Sequence, residues 1–131
     1  MNFRLLPLAV LALISGCATA YQKDGITGGF VDTRLAPDMV RVTFAGNGFT
    51  SDQKATDFAL LRAAELCAES GCGFFSVQWS PVSTQMANAG GGVAKPEVAV
   101  MAKFFKDKPA GVDVFDAGFL INSIKSKYGI R

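Results

Sequence analysis

The feature that most constrains the fold is a two-residue alternation of apolar and polar side chains, which recurs in short segments. It is clearest where Val40, Val42 and Phe44 alternate with Arg41 and Thr43. Because side chains point alternately to the two sides of a strand, this pattern predicts a sheet with one buried face. Four segments are predicted as strands, the first with the weakest alternation: residues 26–35, 39–45, 73–80 and 93–106.

Two further segments have helical spacing. The first begins at Thr50, the predicted N-cap of a capping box completed by Gln53, and extends to about Ser70. The second is predicted to be capped by Asp113 and to end at Gly129. The predicted order is therefore β-β-α-β-β-α. It describes an α+β domain in which a four-stranded, largely antiparallel sheet carries two helices on one face.

The N-terminal residues differ in composition from the rest of the chain. Arg4 is their only charged residue, and residues 5–14 are almost wholly apolar. This composition is typical of a secretory signal peptide, and the apolar run is too short to cross a bilayer core of about 30 Å as a helix. The segment Leu13-Ile14-Ser15-Gly16-Cys17 that follows resembles the lipobox of bacterial lipoproteins. That resemblance implies cleavage before Cys17 and acylation of its thiol.

The lipobox resemblance divides the chain into three parts. Residues 1–16 are a removed signal peptide, residues 17–25 a lipidated N-terminus and tether, and residues 26–131 a single domain. The alternative is a plain secreted protein cut at Ala18-Thr19-Ala20. A triacylated Cys17 would hold the domain on a membrane, facing the periplasm, without a spanning helix. The Ala that follows Cys17, where an Asp would favour inner-membrane retention in enteric bacteria, predicts the outer membrane.

The two remaining cysteines, Cys67 and Cys72, are close in sequence. An oxidising compartment permits a disulfide between them, which would join the end of a helix to the start of a strand. The alternative is a pair of free thiols that act as small apolar side chains. The spacing contains no CxxC redox motif, and two cysteines are too few for a structural metal site.

The composition also limits the chemistry of the chain. The 131 residues include no His, which excludes a Ser-His-Asp triad, a Cys–His pair and an imidazole base. With 13 Lys and Arg against 11 Asp and Glu, the chain has little attraction for nucleic acid. The sequence therefore predicts a protein that is not an enzyme, takes no cofactor and binds no nucleic acid.

Four aromatic residues fall outside the predicted core pattern: Phe49, Phe58, Phe115 and Phe119. Phe58 lies within the polar strip of the first helix, whereas Phe115 and Phe119 share one face of the second. Phe58, Phe115 and Phe119 either widen the buried face of each helix or form an exposed patch for a partner, such as another envelope protein.

The segment from Arg41 to Phe75 resembles a family of small alphaproteobacterial lipoproteins. The likeness lies in a strand that ends in Gly-Asn-Gly, then Thr50-Ser51, then the helical stretch Asp-Phe-Ala-Leu-Leu-Arg-Ala-Ala-Glu. It implies a lipoprotein with a helix packed on strands, and it brings no catalytic residues. Cys72 departs from the pattern, because an aromatic residue is expected there.

We therefore expect a membrane-anchored cell-envelope lipoprotein whose domain is a structural or protein-interaction module. The alternative is a periplasmic module that binds a small ligand in an apolar cavity. Residues 80–92, which lack periodicity and end in three glycines, would then form a flexible lid over that cavity.

Overall fold

The computed structural model describes residues 18–25, 28–79, 83–86 and 94–131. These residues form an α+β domain, as the sequence predicts. The elements in chain order are β1 (Gly29–Ala36), β2 (Met39–Ala45), α1 (Asp52–Glu69), β3 (Phe74–Trp79), β4 (Ser83–Met86), β5 (Ala94–Phe105), β6 (Phe115–Asp116) and α2 (Ala117–Tyr128).

The sheet is antiparallel, and five of its strands follow the order β1-β2-β5-β3-β6. The remaining strand, β4, pairs with β5 off this path. The prediction of four strands is therefore wrong. It missed β6, a two-residue strand beside Phe75, and β4, which falls inside the predicted loop. Both strands are too short to show a periodic pattern in the sequence.

The first helix begins one residue later than predicted. Its N-cap is Ser51, whose hydroxyl accepts a hydrogen bond from the Lys54 amide at 3.1 Å. Thr50 is instead buried, and its hydroxyl donates to Asn47 Oδ1 at 3.1 Å. The predicted capping box is wrong because Thr50 belongs to the turn that precedes the helix.

The second helix also begins later than predicted. Asp116, rather than Asp113, is its N-cap and accepts a hydrogen bond from the Phe119 amide at 2.9 Å. The pairing of β6 with β3 keeps the preceding residues extended. Gly129 ends the helix in the left-handed conformation, with φ of 65°, as predicted.

The core lies between the sheet and α1. The inward residues of β2 are Val40, Val42 and Phe44, and all three are buried. Four alanines of α1 are fully buried, and their small side chains let the helix approach the strands closely. The second helix packs along α1 and adds Ala117 and Ile124 to the same cluster. One face of the sheet is thus covered, whereas its other face carries half-buried and exposed side chains.

Candidate functional site

Part of the predicted tether packs against the domain. Thr19 is 1% exposed, and its amide donates a hydrogen bond to Thr50 Oγ1 at 3.0 Å. Its own hydroxyl accepts a hydrogen bond from the Asn47 amide at 2.7 Å. Thr19, two residues after Cys17 in the sequence, is therefore part of the folded domain, at the end of the sheet where α1 begins.

Tyr21 holds the same N-terminal segment against α1. Its ring lies 5.1 Å from that of Phe30 and 5.4 Å from that of Phe58, and its hydroxyl donates to the Glu65 carboxylate. Burial raises the pKa of Tyr21, and the hydrogen bond to Glu65 raises it further. The Gln22 carbonyl accepts from the Phe30 amide at 2.8 Å, which joins the segment to the first strand.

Two aspartates that could serve in acid–base chemistry are held in ion pairs instead. Asp32 contacts Arg62 at 2.7 Å, and this hydrogen bond is the main reason that the pKa of Arg62 is raised. Asp57 accepts from Lys127 at 2.8 Å and from the Tyr128 hydroxyl at 2.6 Å. Burial first and Asp57 second raise the pKa of Tyr128. Both carboxylates therefore tie α1 to its neighbours, β1 and α2.

The uncovered face of the sheet carries an open groove of about 270 Å³. Arg41, Gln78 and Met101, outward side chains of three neighbouring strands, contribute to it. Trp79, which is 53% exposed and pairs with the buried Val100, lies at one end. A smaller cavity of about 80 Å³ shares two of its residues, Gln78 and Met101. The larger groove is lined by Arg41, Gln78, Trp79, Ala99, Val100 and Met101. Its lining combines apolar side chains with the guanidinium of Arg41 and the amide of Gln78.

The predicted lid over a ligand cavity contains a strand. Residues 83–86 form a strand that pairs with β5, so the loop prediction is wrong over those four residues. Residues 80–82 and 87–93 lie outside the described residues. Trp79, which lines the groove, immediately precedes this segment in the sequence.

Cys67 and Cys72 are joined in a disulfide, with Cα atoms 5.0 Å apart. The bridge connects the last turn of α1 to a residue two positions before β3. The sequence left open a disulfide or two free thiols, and this structure contains the disulfide.

The three predicted patch residues do not form one surface. Phe58 is 2% exposed and packs against the rings of Phe44, Tyr21 and Tyr128, so its assignment to a patch is wrong. The reason is that the N-terminal segment and α2 cover the side of α1 that the sequence marks as polar. Phe115 is half-buried, whereas Phe119 is 73% exposed.

Cys17 and the predicted signal peptide lie outside the described residues. Within the residues that the structure does describe, no helix has the length and apolar character needed to cross a membrane. In that same part of the chain, no group of three or more His, Cys, Asp or Glu side chains could hold a metal ion. Comparison with protein families, curated proteins and solved structures finds no match to the chain.

Proposed function

We propose that the protein is a cell-envelope lipoprotein, cleaved before Cys17, acylated on that residue and held at the periplasmic surface of the outer membrane. The observation that carries this proposal is the position of Thr19 inside the folded domain. A cut after Ala20, the alternative in the sequence, would remove Thr19 and leave Asn47 and Thr50 without the partner described above. A cut before Cys17 keeps the contacts that the structure describes for residues 18–25.

The position of the groove supports a protein-interaction role for the domain. The helices, the N-terminal segment and most aromatic contacts lie on the covered face of the sheet, where they stabilise the fold. The uncovered face combines exposed apolar side chains such as Met101 with Arg41 and Gln78, a mixture typical of non-obligate protein interfaces. We propose that this face binds another envelope protein.

Metabolic labelling with palmitate tests the anchor. Cys17→Ser should abolish incorporation of the label and leave the unprocessed precursor. The matched control is the double variant Cys67→Ser/Cys72→Ser, which removes the other two cysteines and should be labelled normally. Labelling of the Cys17→Ser chain would overturn the proposal. Separation of the two membranes on a density gradient then tests the outer-membrane assignment, which predicts that the labelled protein sediments with outer-membrane markers.

A second candidate function is binding of a small ligand in the same groove, because its volume approaches that of small-molecule sites. Trp79 is the only tryptophan in the chain and lines the groove, so its fluorescence reports occupancy. A ligand from envelope extract that shifts this emission saturably, and fails to do so with Met101→Lys, would favour this function over protein binding.

A further inference from the structure

We propose that residues 47–50, here named the contact turn, lie against the bilayer and that Phe49 inserts into its headgroup region. The inference rests on the proposed acylation of Cys17 and adds a defined orientation of the domain on the membrane. Three observations carry it: the short chain between the anchor and the fold, the exposure of Phe49, and the rigidity of the turn.

The chain between the anchor and the fold is too short for the domain to move far from the membrane. Thr19 is fixed by its hydrogen bonds to Asn47 and Thr50, and Cys17 is two residues earlier. Two extended residues span at most about 7 Å. The lipid-bearing residue is therefore held within about 7 Å of the Thr19 backbone, which itself contacts the turn.

Phe49 is the exposed apolar residue of the contact turn. Its side chain is 67% exposed, and it lies between Asn47 and Thr50, the two residues that hold Thr19. Within the described residues, Phe119 alone among the large apolar side chains is more exposed. A phenylalanine beside a lipid anchor is thus presented to the membrane rather than to open solvent.

Hydrogen bonds within the contact turn support its backbone. The Phe49 amide donates to Asn47 Oδ1 at 2.9 Å, and the Thr50 amide donates to the Asn47 carbonyl at 3.1 Å. A Cβ at Gly46 would lie 2.6 Å from that of Thr50, so the backbone needs glycine there. Because the turn is already ordered, insertion of Phe49 has little conformational entropy to overcome.

The bilayer is the occupant that this geometry favours. Aromatic and aliphatic side chains of peripheral proteins enter the headgroup and acyl boundary to a depth of about 5–10 Å. A triacyl anchor alone holds the protein firmly, so Phe49 is not needed for attachment. Its contribution is to fix which end of the domain faces the lipid, and hence how the groove is displayed.

Phe119 offers a matched control at the other end of the domain. It lies in the first turn of α2, beside the start of β3, whereas the contact turn precedes the start of α1. Since α1 has 18 residues, the two ends are separated by roughly 25 Å along its axis. Both phenylalanines are mostly exposed, so only their positions differ.

The test uses the lipidated full-length protein, purified from membranes and reconstituted into vesicles of phosphatidylethanolamine and phosphatidylglycerol. One variant carries Phe49→Trp with Trp79→Phe, and its control carries Phe119→Trp with Trp79→Phe. Each therefore has a single tryptophan. Phospholipids brominated near the headgroup should quench the emission of the F49W variant by about twofold and leave that of the F119W variant unchanged, as expected for insertion near the acyl boundary.

Flotation of the vesicles is measured first, and it separates the two proposals. Protein that does not float lacks the anchor, and this overturns both the lipoprotein assignment and the orientation. If the protein floats but the emission of the F49W variant is not quenched, the lipoprotein assignment stands and the proposed orientation is overturned. Equal quenching of both variants shows an unfixed orientation and also overturns the inference.

A second measurement needs no substitution. Hydroxyl-radical oxidation followed by mass spectrometry compares Phe49 with Phe119 in the lipidated chain on vesicles and in residues 18–131, produced without signal peptide or lipid and kept in solution. Phe49 should be oxidised several-fold less on vesicles, while Phe119 should be unchanged. Equal oxidation of Phe49 in the two states contradicts the inference even if the tryptophan variants do not fold.

Discussion

The two faces of the sheet are built by the same alternation of side chains but have different surroundings. On the covered face, Phe44 and its neighbours contact α1 and are closed off from water. On the other face, Arg41 and Met101 line an open groove. The comparison teaches that one face is packed against the helices, whereas the other leaves its side chains accessible at the surface.

The largest expected difference is between core and groove substitutions. Phe44→Ala should lower the free energy of unfolding by about 3–5 kcal/mol, because it leaves a cavity under α1. Met101→Ala, on the uncovered face, should lower it by less than about 0.5 kcal/mol. Urea denaturation of the mature chain, followed by circular dichroism, measures both. Similar losses would show that the two faces do not differ as described.

The disulfide lies at the C-terminal end of α1, the helix that covers one face of the sheet. Cys67→Ser/Cys72→Ser should lower the free energy of unfolding by about 2 kcal/mol, the amount expected for a short closed loop. Reductant should lower the stability of the native chain by a similar amount and leave that of the double variant unchanged. A native chain that is insensitive to reductant would argue against the bridge.

The N-terminal segment is expected to belong to the covered region. Thr19→Ala should lower the free energy of unfolding by about 1–2 kcal/mol, because it removes a buried hydroxyl that accepts from Asn47. Thr33→Ala, the same substitution at an exposed outward position of β1, is the control and should have almost no effect. If the two variants are equally stable, the segment is not part of the fold.

The smallest expected effect depends on pH. The folded pKa of Tyr21 is raised above its ordinary value of 10.0, so its contribution is complete below about pH 10 and is lost as the pH rises further. Tyr21→Phe should cost about 1 kcal/mol at neutral pH and make the alkaline loss of stability shallower. Tyr128, whose pKa is also raised, is present in both chains, so the Tyr21→Phe variant still loses some stability at alkaline pH. Denaturation curves from pH 8 to 11 that decline in parallel for both chains would contradict this account.

The periodic elements could be predicted from the sequence, because long runs carry a clear pattern. The second strand was predicted with its observed bounds, and α1 with a one-residue error at its start. β4 and β6 could not be predicted, because strands of four and two residues are defined by the neighbour that they pair with. Tertiary contacts, rather than local propensity, decide such elements.

The candidate site was harder to predict because it depends on which surfaces become covered. Phe58 lies among charged residues in the helix, yet the ring cluster that buries it includes Tyr21 and Tyr128, which are distant in sequence. Thr19 lies in a segment of small and polar residues, and no pattern in that segment predicts that Thr19 is buried. Tyr21, an aromatic side chain in that same segment, is the one hint that the predicted tether packs against the domain.

The central claim is that the mature chain begins at an acylated Cys17. Mass spectrometry of the N-terminal peptide, from protein isolated out of membranes, tests it most directly. The account predicts a peptide that begins at Cys17 and carries the mass of a diacylglycerol and an amide-linked acyl chain. A peptide that begins at Tyr21, or an unmodified chain that retains the signal sequence, would contradict it.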